Sequence, residues 1–187
     1  MRATPWREAV AAASVDPWVG SVWRMHRSRY DATSYRGSEL VSARYHRAPD
    51  QFPPEMCFPA LYTALSPEIC LAELIRHTPP EDVENLIEMR LSELEVRLHN
   101  VLDMRKPHEL GVDVQRLLDD RDYSLSQELA SVALARGCDA LLVPSATGLG
   151  DNLILFPSRC RDYGSAVQCV RSRDLTRVRY AGADRGV

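Results

Sequence analysis

Glu73 is a lone carboxylate inside an otherwise apolar run, Ile69-Cys70-Leu71-Ala72-Glu73-Leu74-Ile75. A glutamate so placed can stabilise developing positive charge or hold a proton, provided it borders a cleft. At about 100° per residue, Leu71, Leu74 and Ile75 share one helical face and Glu73 falls roughly opposite. Taken alone, that pattern describes a solvated carboxylate beside His77. Arg24 and Arg44 are guanidinium forks of the kind that grip phosphate, although an exposed arginine is more often simply solvated. Tyr62, in an apolar stretch, is either a core residue with a satisfied hydroxyl or a surface for a ring. Ser145 follows a buried run and opens Pro144-Ser145-Ala146-Thr147-Gly148-Leu149-Gly150, a turn leading to Asn152. Its glycines permit close approach of a ligand, or merely close a hairpin.

Several familiar chemistries are missing. Gly148 and Gly150 belong to neither a G-x-x-x-x-G-K-[ST] nor a G-x-G-x-x-G pattern, and Ser145 lacks the flanking glycines of a nucleophile elbow. The five cysteines form no C-x-x-C pair, and the five histidines no H-x-x-x-H pair. No structural metal and no disulfide framework are expected.

The elements that must position these groups follow from pattern. Residues 1–20 predict a short N-terminal helical extension, with Trp6, Val10 and Ala13 on one stripe, appended to the main fold. A first strand is expected over 21–26, where Val22, Arg24 and His26 alternate with Trp23 and Met25. Residues 27–58 read as a long polar loop. A strand over 59–65 leads to Ser66-Pro67, an N-cap followed by proline, and a helix from Pro67 to His77 that stops before Pro79-Pro80. Two antiparallel strands are expected at 86–91 and 95–102, and a short helix at Leu117-Leu118. A helix follows from Ser124 to Gly137, opened by a Ser124/Gln127 capping box. Strands then come at 140–143, 152–156, 166–170 and 176–180, before a frayed tail at 181–187. This order predicts an α+β fold with curled, mainly antiparallel sheets and flanking helices.

Composition sets the outer limits. With 187 residues, 45% of them hydrophobic, the chain suits one domain over 21–180. A formal charge of −3 supplies no global field for nucleic acid. Arginine greatly outnumbers lysine, Lys106 being alone, which favours bidentate contacts with anions. The run Ala9–Ala13 is too short for a signal sequence, and nothing approaches the roughly 20 apolar residues of a membrane span. A cytoplasmic protein without membrane or nucleic-acid contacts is expected.

The order of blocks is more specific than any single one. Val22-Trp23-Arg24-Met25-His26, Ser42-Ala43-Arg44-Tyr45, Leu61-Tyr62-Thr63-Ala64-Leu65-Ser66-Pro67 with Glu73, Val101-Leu102-Asp103-Met104-Arg105, Gly137-Cys138-Asp139-Ala140, Leu142-Val143-Pro144-Ser145-Ala146 and Asn152-Leu153-Ile154-Leu155-Phe156 together resemble the RES domain over about residues 21–157. The family is named for an arginine, a glutamate and a serine, which match Arg44, Glu73 and Ser145. Tyr62 matches the usual aromatic partner and Arg24 the arginine of the first strand. Ser42-Ala43 departs from the glycine pair that commonly precedes the second arginine.

The resemblance implies an ADP-ribosyltransferase-like fold and a toxin that cleaves the nicotinamide–ribose bond of NAD⁺, by hydrolysis or with inorganic phosphate as co-substrate. It also implies a partner antitoxin with an Xre-type helix-turn-helix domain. Arg24, Arg44, Tyr62, Ser145 and Asn152 are expected to bind the dinucleotide, and Glu73, Arg44 and Ser145 to serve catalysis. A protein-modifying ADP-ribosyltransferase and a non-catalytic module that binds the antitoxin or a nucleotide are the alternatives.

Overall fold

Both faces of the hairpin formed by Ala140–Pro144 and Asp151–Leu155 are buried, which explains why these strands are apolar almost throughout. Leu141, Val143 and Ile154 turn towards one apolar cluster with Trp6, Leu129 and Phe156, while Leu142, Leu153 and Leu155 turn towards another with Val22, Leu61 and Leu94. In the computed structural model, which describes residues 5–79, 86, 88–160 and 162–175, the order is α1 (Pro5–Ala12), β1 (Asp16–Arg27), β2 (Leu61–Ala64), α2 (Pro67–His77), β3 (Met89–Asp103), α3 (Val114–Leu117), α4 (Ser124–Ala135), β4 (Ala140–Pro144), β5 (Asp151–Leu155), α5 (Tyr163–Ala166) and β6 (Val167–Asp174). The fold is mixed α+β with a sheet-dominated core. The six strands run β1-β2-β5-β4-β3-β6, and β1 pairs with β3 as well, so the sheet curls back on itself. A single register pair, Trp23 with Ala64, joins β1 to β2. All pairings are antiparallel except β3 with β4.

Three expectations about elements are corrected. The two strands at 86–91 and 95–102 are one strand, β3, paired with β1 from Met89–Arg27 to Val101–Asp16. The intervening Ser92-Glu93-Leu94 lacks the Gly, Pro, Asn or Asp that a tight turn needs. The N-terminal helix ends at Ala12 and β1 already begins at Asp16, so the boundary at residue 20 is not kept. Trp6 and Val10 sit in the core, and Arg136 donates to the Val10 and Ala13 carbonyls at 2.5 Å each, a cation at the C-terminal end of α1. Ser124 and Gln127 form no capping box. Tyr123 holds the N-cap position without a side-chain bond, and Asp122 accepts the Ser124 N–H. Gln127 is buried and donates to the Ala43 carbonyl at 3.1 Å.

The α2 helix matches its expected bounds, with the Ser66 side chain accepting the Ile69 N–H. The expected strand at 166–170 extends to Asp174 in β6, and the one at 176–180, like the tail at 181–187, lies outside the described residues. Among the described residues no helix is long and apolar enough to cross a membrane, and no three His, Cys, Asp or Glu residues group as metal ligands.

Candidate active site

The helix α2 turns a different face inward from the one its apolar residues suggest. Ile69 and Cys70 are buried and Glu73 is half-buried on the same side, while Ile75 is 52% exposed. Two contacts fix this rotation. Cys70 donates its thiol to the Trp23 carbonyl at 3.0 Å, tying α2 to β1. Gly150 passes so close that an added Cβ would lie 2.6 Å from the Ile69 methyl, and its φ of 146° is one that side chains rarely adopt.

That close approach brings the β4–β5 turn against Glu73. Its Oε1 accepts the Ser145 hydroxyl at 2.6 Å and the Asn152 amide at 2.9 Å, and Oε2 lies 3.5 Å from His77 Nε2. Burial opposes the charged form, but the bonds from His77, Ser145 and Asn152 outweigh it and hold Glu73 down at about 2. A carboxylate ionised throughout the neutral range results.

Ser145 itself has no bonding capacity left. Its hydroxyl donates to Glu73 and accepts from the Thr147 hydroxyl at 2.7 Å and the Thr147 N–H at 3.1 Å, and the residue is 2% exposed. The sequence assigns Ser145 to the ligand; its geometry is that of a residue that holds Glu73.

Glu73, Asn152, Tyr62, Arg24 and Arg44 all border one cavity of about 550 Å³, within the size range of ligand pockets. Arg24 reaches it from β1 and uses Nη1 to hold the Ala32 and Ser34 carbonyls at 2.7 and 2.6 Å. Burial lowers its pKa only to about 10, so it remains a cation. Arg44 lies with its guanidinium 5.0 Å from the centre of the Tyr123 ring. It donates to the Leu117 and Asp119 carbonyls at 3.0 and 2.7 Å and to Asp120 at 2.6 Å.

The Tyr62 hydroxyl accepts the Tyr45 N–H at 2.8 Å and lies 2.9 Å from His46 Nδ1. His46 Nε2 is 2.7 Å from the Val41 carbonyl, which can only accept, so Nε2 carries the proton and Nδ1 accepts the Tyr62 O–H. Burial lowers the His46 pKa and raises that of Tyr62, keeping both neutral. Ser42 replaces the family's commoner glycine without loosening this segment. It accepts the Ala48 N–H at 2.9 Å and donates to Asp50 at 2.7 Å.

His46, Tyr123 and Gln127 also build the site, and no motif in the sequence marks them as doing so. Only the adjacency of Tyr45-His46 to Arg44 offered a signal, since Tyr123 and Gln127 are far along the chain.

An NAD(+) phosphorylase, MbcT, of Mycobacterium tuberculosis is 26% identical over 180 residues, covering 92% of this chain and 91% of that protein. A probable NAD(+) phosphorylase, Rv3189, of the same organism is 30% identical over 143 residues, covering 74% and 65%. In fold, the chain resembles the crystal structure of the M. tuberculosis MbcT–MbcA toxin–antitoxin complex, with a TM-score of 0.77 at 23% identity over 92% of this chain and 93% of that one. The family model of the RES domain matches residues 21–178, so the chain belongs to the RES domain family.

Proposed function

We propose that this protein is the toxin of a toxin–antitoxin pair and that it consumes NAD⁺ by phosphorolysis of the nicotinamide–ribose bond. The observation that carries this reading is the ionised Glu73 carboxylate on the wall of an arginine-bearing cavity. As the C1′–N bond lengthens, its electron pair passes to the pyridine nitrogen and the ribose gains oxocarbenium character. A fixed carboxylate stabilises that charge more than the ground state. Nicotinamide leaves neutral, so no general acid is required. A phosphate oxygen then forms the new bond to C1′, giving ADP-ribose phosphorylated at the anomeric carbon.

Arg24 and Arg44 hold the pyrophosphate through the N–H groups that the carbonyl contacts leave over. Tyr62 packs against the nicotinamide or its ribose, and Asn152 orients a ribose hydroxyl while steadying Glu73. Ser145 acts through Glu73 and forms no covalent intermediate. The phosphate acceptor is favoured over water by the two relatives named as NAD(+) phosphorylases. An ADP-ribosyltransferase-like fold fits a strand-borne arginine and a helix-borne glutamate that face one cavity. The partner is an antitoxin with an Xre-type helix-turn-helix domain, and the reaction takes place in the cytoplasm.

Incubation of the purified chain with NAD⁺, with and without inorganic phosphate, followed by mass spectrometry tests this. Nicotinamide and phosphorylated ADP-ribose should appear only with phosphate. Free ADP-ribose in both arms would make the protein a hydrolase, ADP-ribose attached to protein would make it a transferase, and no release of nicotinamide in either arm would remove the reading.

A further inference from the structure

Asp120 is the one carboxylate that touches both Arg44 and Arg76 among the described residues. Its Oδ1 accepts Arg44 Nη2 at 2.6 Å and its Oδ2 accepts Arg76 Nη2. The three residues come from three separate stretches of chain: the segment before Tyr45, the last turn of α2, and the connection between α3 and α4. Asp120 does not border the cavity, yet Leu118 and Tyr123 on either side of it do, and so does Arg44.

The Arg44 side chain is only 11% exposed, whereas Asp120 is 42% exposed. Arg44 is thus a nearly buried cation whose orientation is set by two backbone carbonyls, one ring and one carboxylate reaching in from the surface. Two guanidiniums drawn to one carboxylate would otherwise repel each other. The bridge holds them side by side and leaves one net positive charge at the cavity wall.

We propose that Asp120 is a positioning residue: by bridging Arg44 and Arg76 it fixes the guanidinium that the cavity presents to an anionic group of its ligand, the pyrophosphate of a dinucleotide. The proposal rests on the NAD⁺ reading for the identity of the ligand but not for the clamp itself. Binding is where the clamp acts, because Glu73 and its partners are held by other residues.

The test is steady-state NAD⁺ kinetics on the full chain with Asp120→Asn, Asp120→Glu, Arg76→Gln and the Asp120→Asn/Arg76→Gln double variant. Asp120→Asn removes a negative charge and so makes the cavity wall more positive. If net charge alone mattered, it would lower KM and the double variant would restore the wild-type value. The clamp predicts the opposite. KM should rise about tenfold in Asp120→Asn, the scale of one lost charge-assisted hydrogen bond. It should stay raised in the double variant and come back within about threefold in Asp120→Glu, with kcat moving less than KM throughout. An unchanged or lowered KM in Asp120→Asn overturns the proposal.

A second readout separates it from the NAD⁺ reading. Amide hydrogen exchange over residues 116–123 should accelerate in Asp120→Asn and recover in Asp120→Glu. If the wild-type protein releases no nicotinamide, this exchange decides the clamp by itself, and unchanged protection rejects it.

Discussion

The Glu73 cluster and the Arg44 cluster border the same cavity but are built by different means. Glu73 is gripped by side chains on regular elements: Asn152 on β5, paired in register with Ala64 and Val143, and Ser145 at the mouth of a hairpin. Arg44 lies on an irregular segment and is gripped mostly by the backbone carbonyls of Leu117, the last residue of α3, and of Asp119 in the connection that follows, together with Tyr123. Glu73 is therefore anchored to the sheet, whereas Arg44 is anchored to one helix end and the connecting segment beyond it. Anchoring to the sheet matters most where charge develops, because a preorganised group needs no reorganisation at the moment of bond breaking. An anion-binding guanidinium tolerates more freedom.

This contrast orders the expected losses. Glu73→Gln keeps the shape but removes the charge, and kcat should fall by about 10²- to 10³-fold, measured as nicotinamide release. If this variant retained most of the rate, the carboxylate would have no electrostatic role.

Gly150→Ala should come next, since its Cβ meets Ile69 at 2.6 Å in a backbone conformation unsuited to side chains. It should cost about 1–3 kcal/mol of stability in denaturant titration. Displacement of α2 should also lower kcat by roughly 10- to 100-fold, as misplacement of a catalytic group does. Normal kinetics in this variant would show that α2 does not depend on the turn.

Ser145→Ala removes one of the bonds that hold Glu73 near 2. The rate at neutral pH should fall about tenfold, the scale of one hydrogen bond to a charged group. The pKa of Glu73 should also rise. Because its folded value lies below the ordinary 4.5, the ionised carboxylate contributes to stability in full above that ordinary value. The contribution is lost as pH falls from there towards 2. Both the acid limb of the rate profile and the acid unfolding transition should therefore move to higher pH in the variant. Identical profiles for the two proteins would mean that the hydroxyl does not act on Glu73.

Tyr123→Leu should have the smallest effect. Losing the ring beneath Arg44 should raise KM for NAD⁺ by about three- to tenfold, with kcat nearly constant. A fall in kcat larger than the rise in KM would erase the distinction between the two clusters.

Much of the site is legible along the chain because its parts lie in ordered local motifs. The Ser66-Pro67 start of α2 and the apolar β4 and β5 appear in pattern alone, and Glu73, Arg44, Ser145 and Tyr62 are marked by family resemblance. The pieces that escaped detection depend on distance through space. The single strand β3 looks like two because its alternation falters near Ser92-Glu93-Leu94, and only pairing with β1 along its length shows it to be continuous. Gln127 looks like half of a cap, yet it binds the Ala43 carbonyl across 84 positions of sequence.

The sequence by itself determined the alternation of strands and helices, the absence of familiar phosphate-loop and zinc patterns, and which acidic and basic side chains were available for chemistry. Tertiary structure decided which way those side chains act. Periodicity describes one element at a time, and on that evidence Glu73 faces water. Only the hydroxyl and amide brought to it by a distant hairpin make an inward carboxylate affordable, and only the packing that orders Ser145 behind Glu73 separates the residue that holds from the residue that is held.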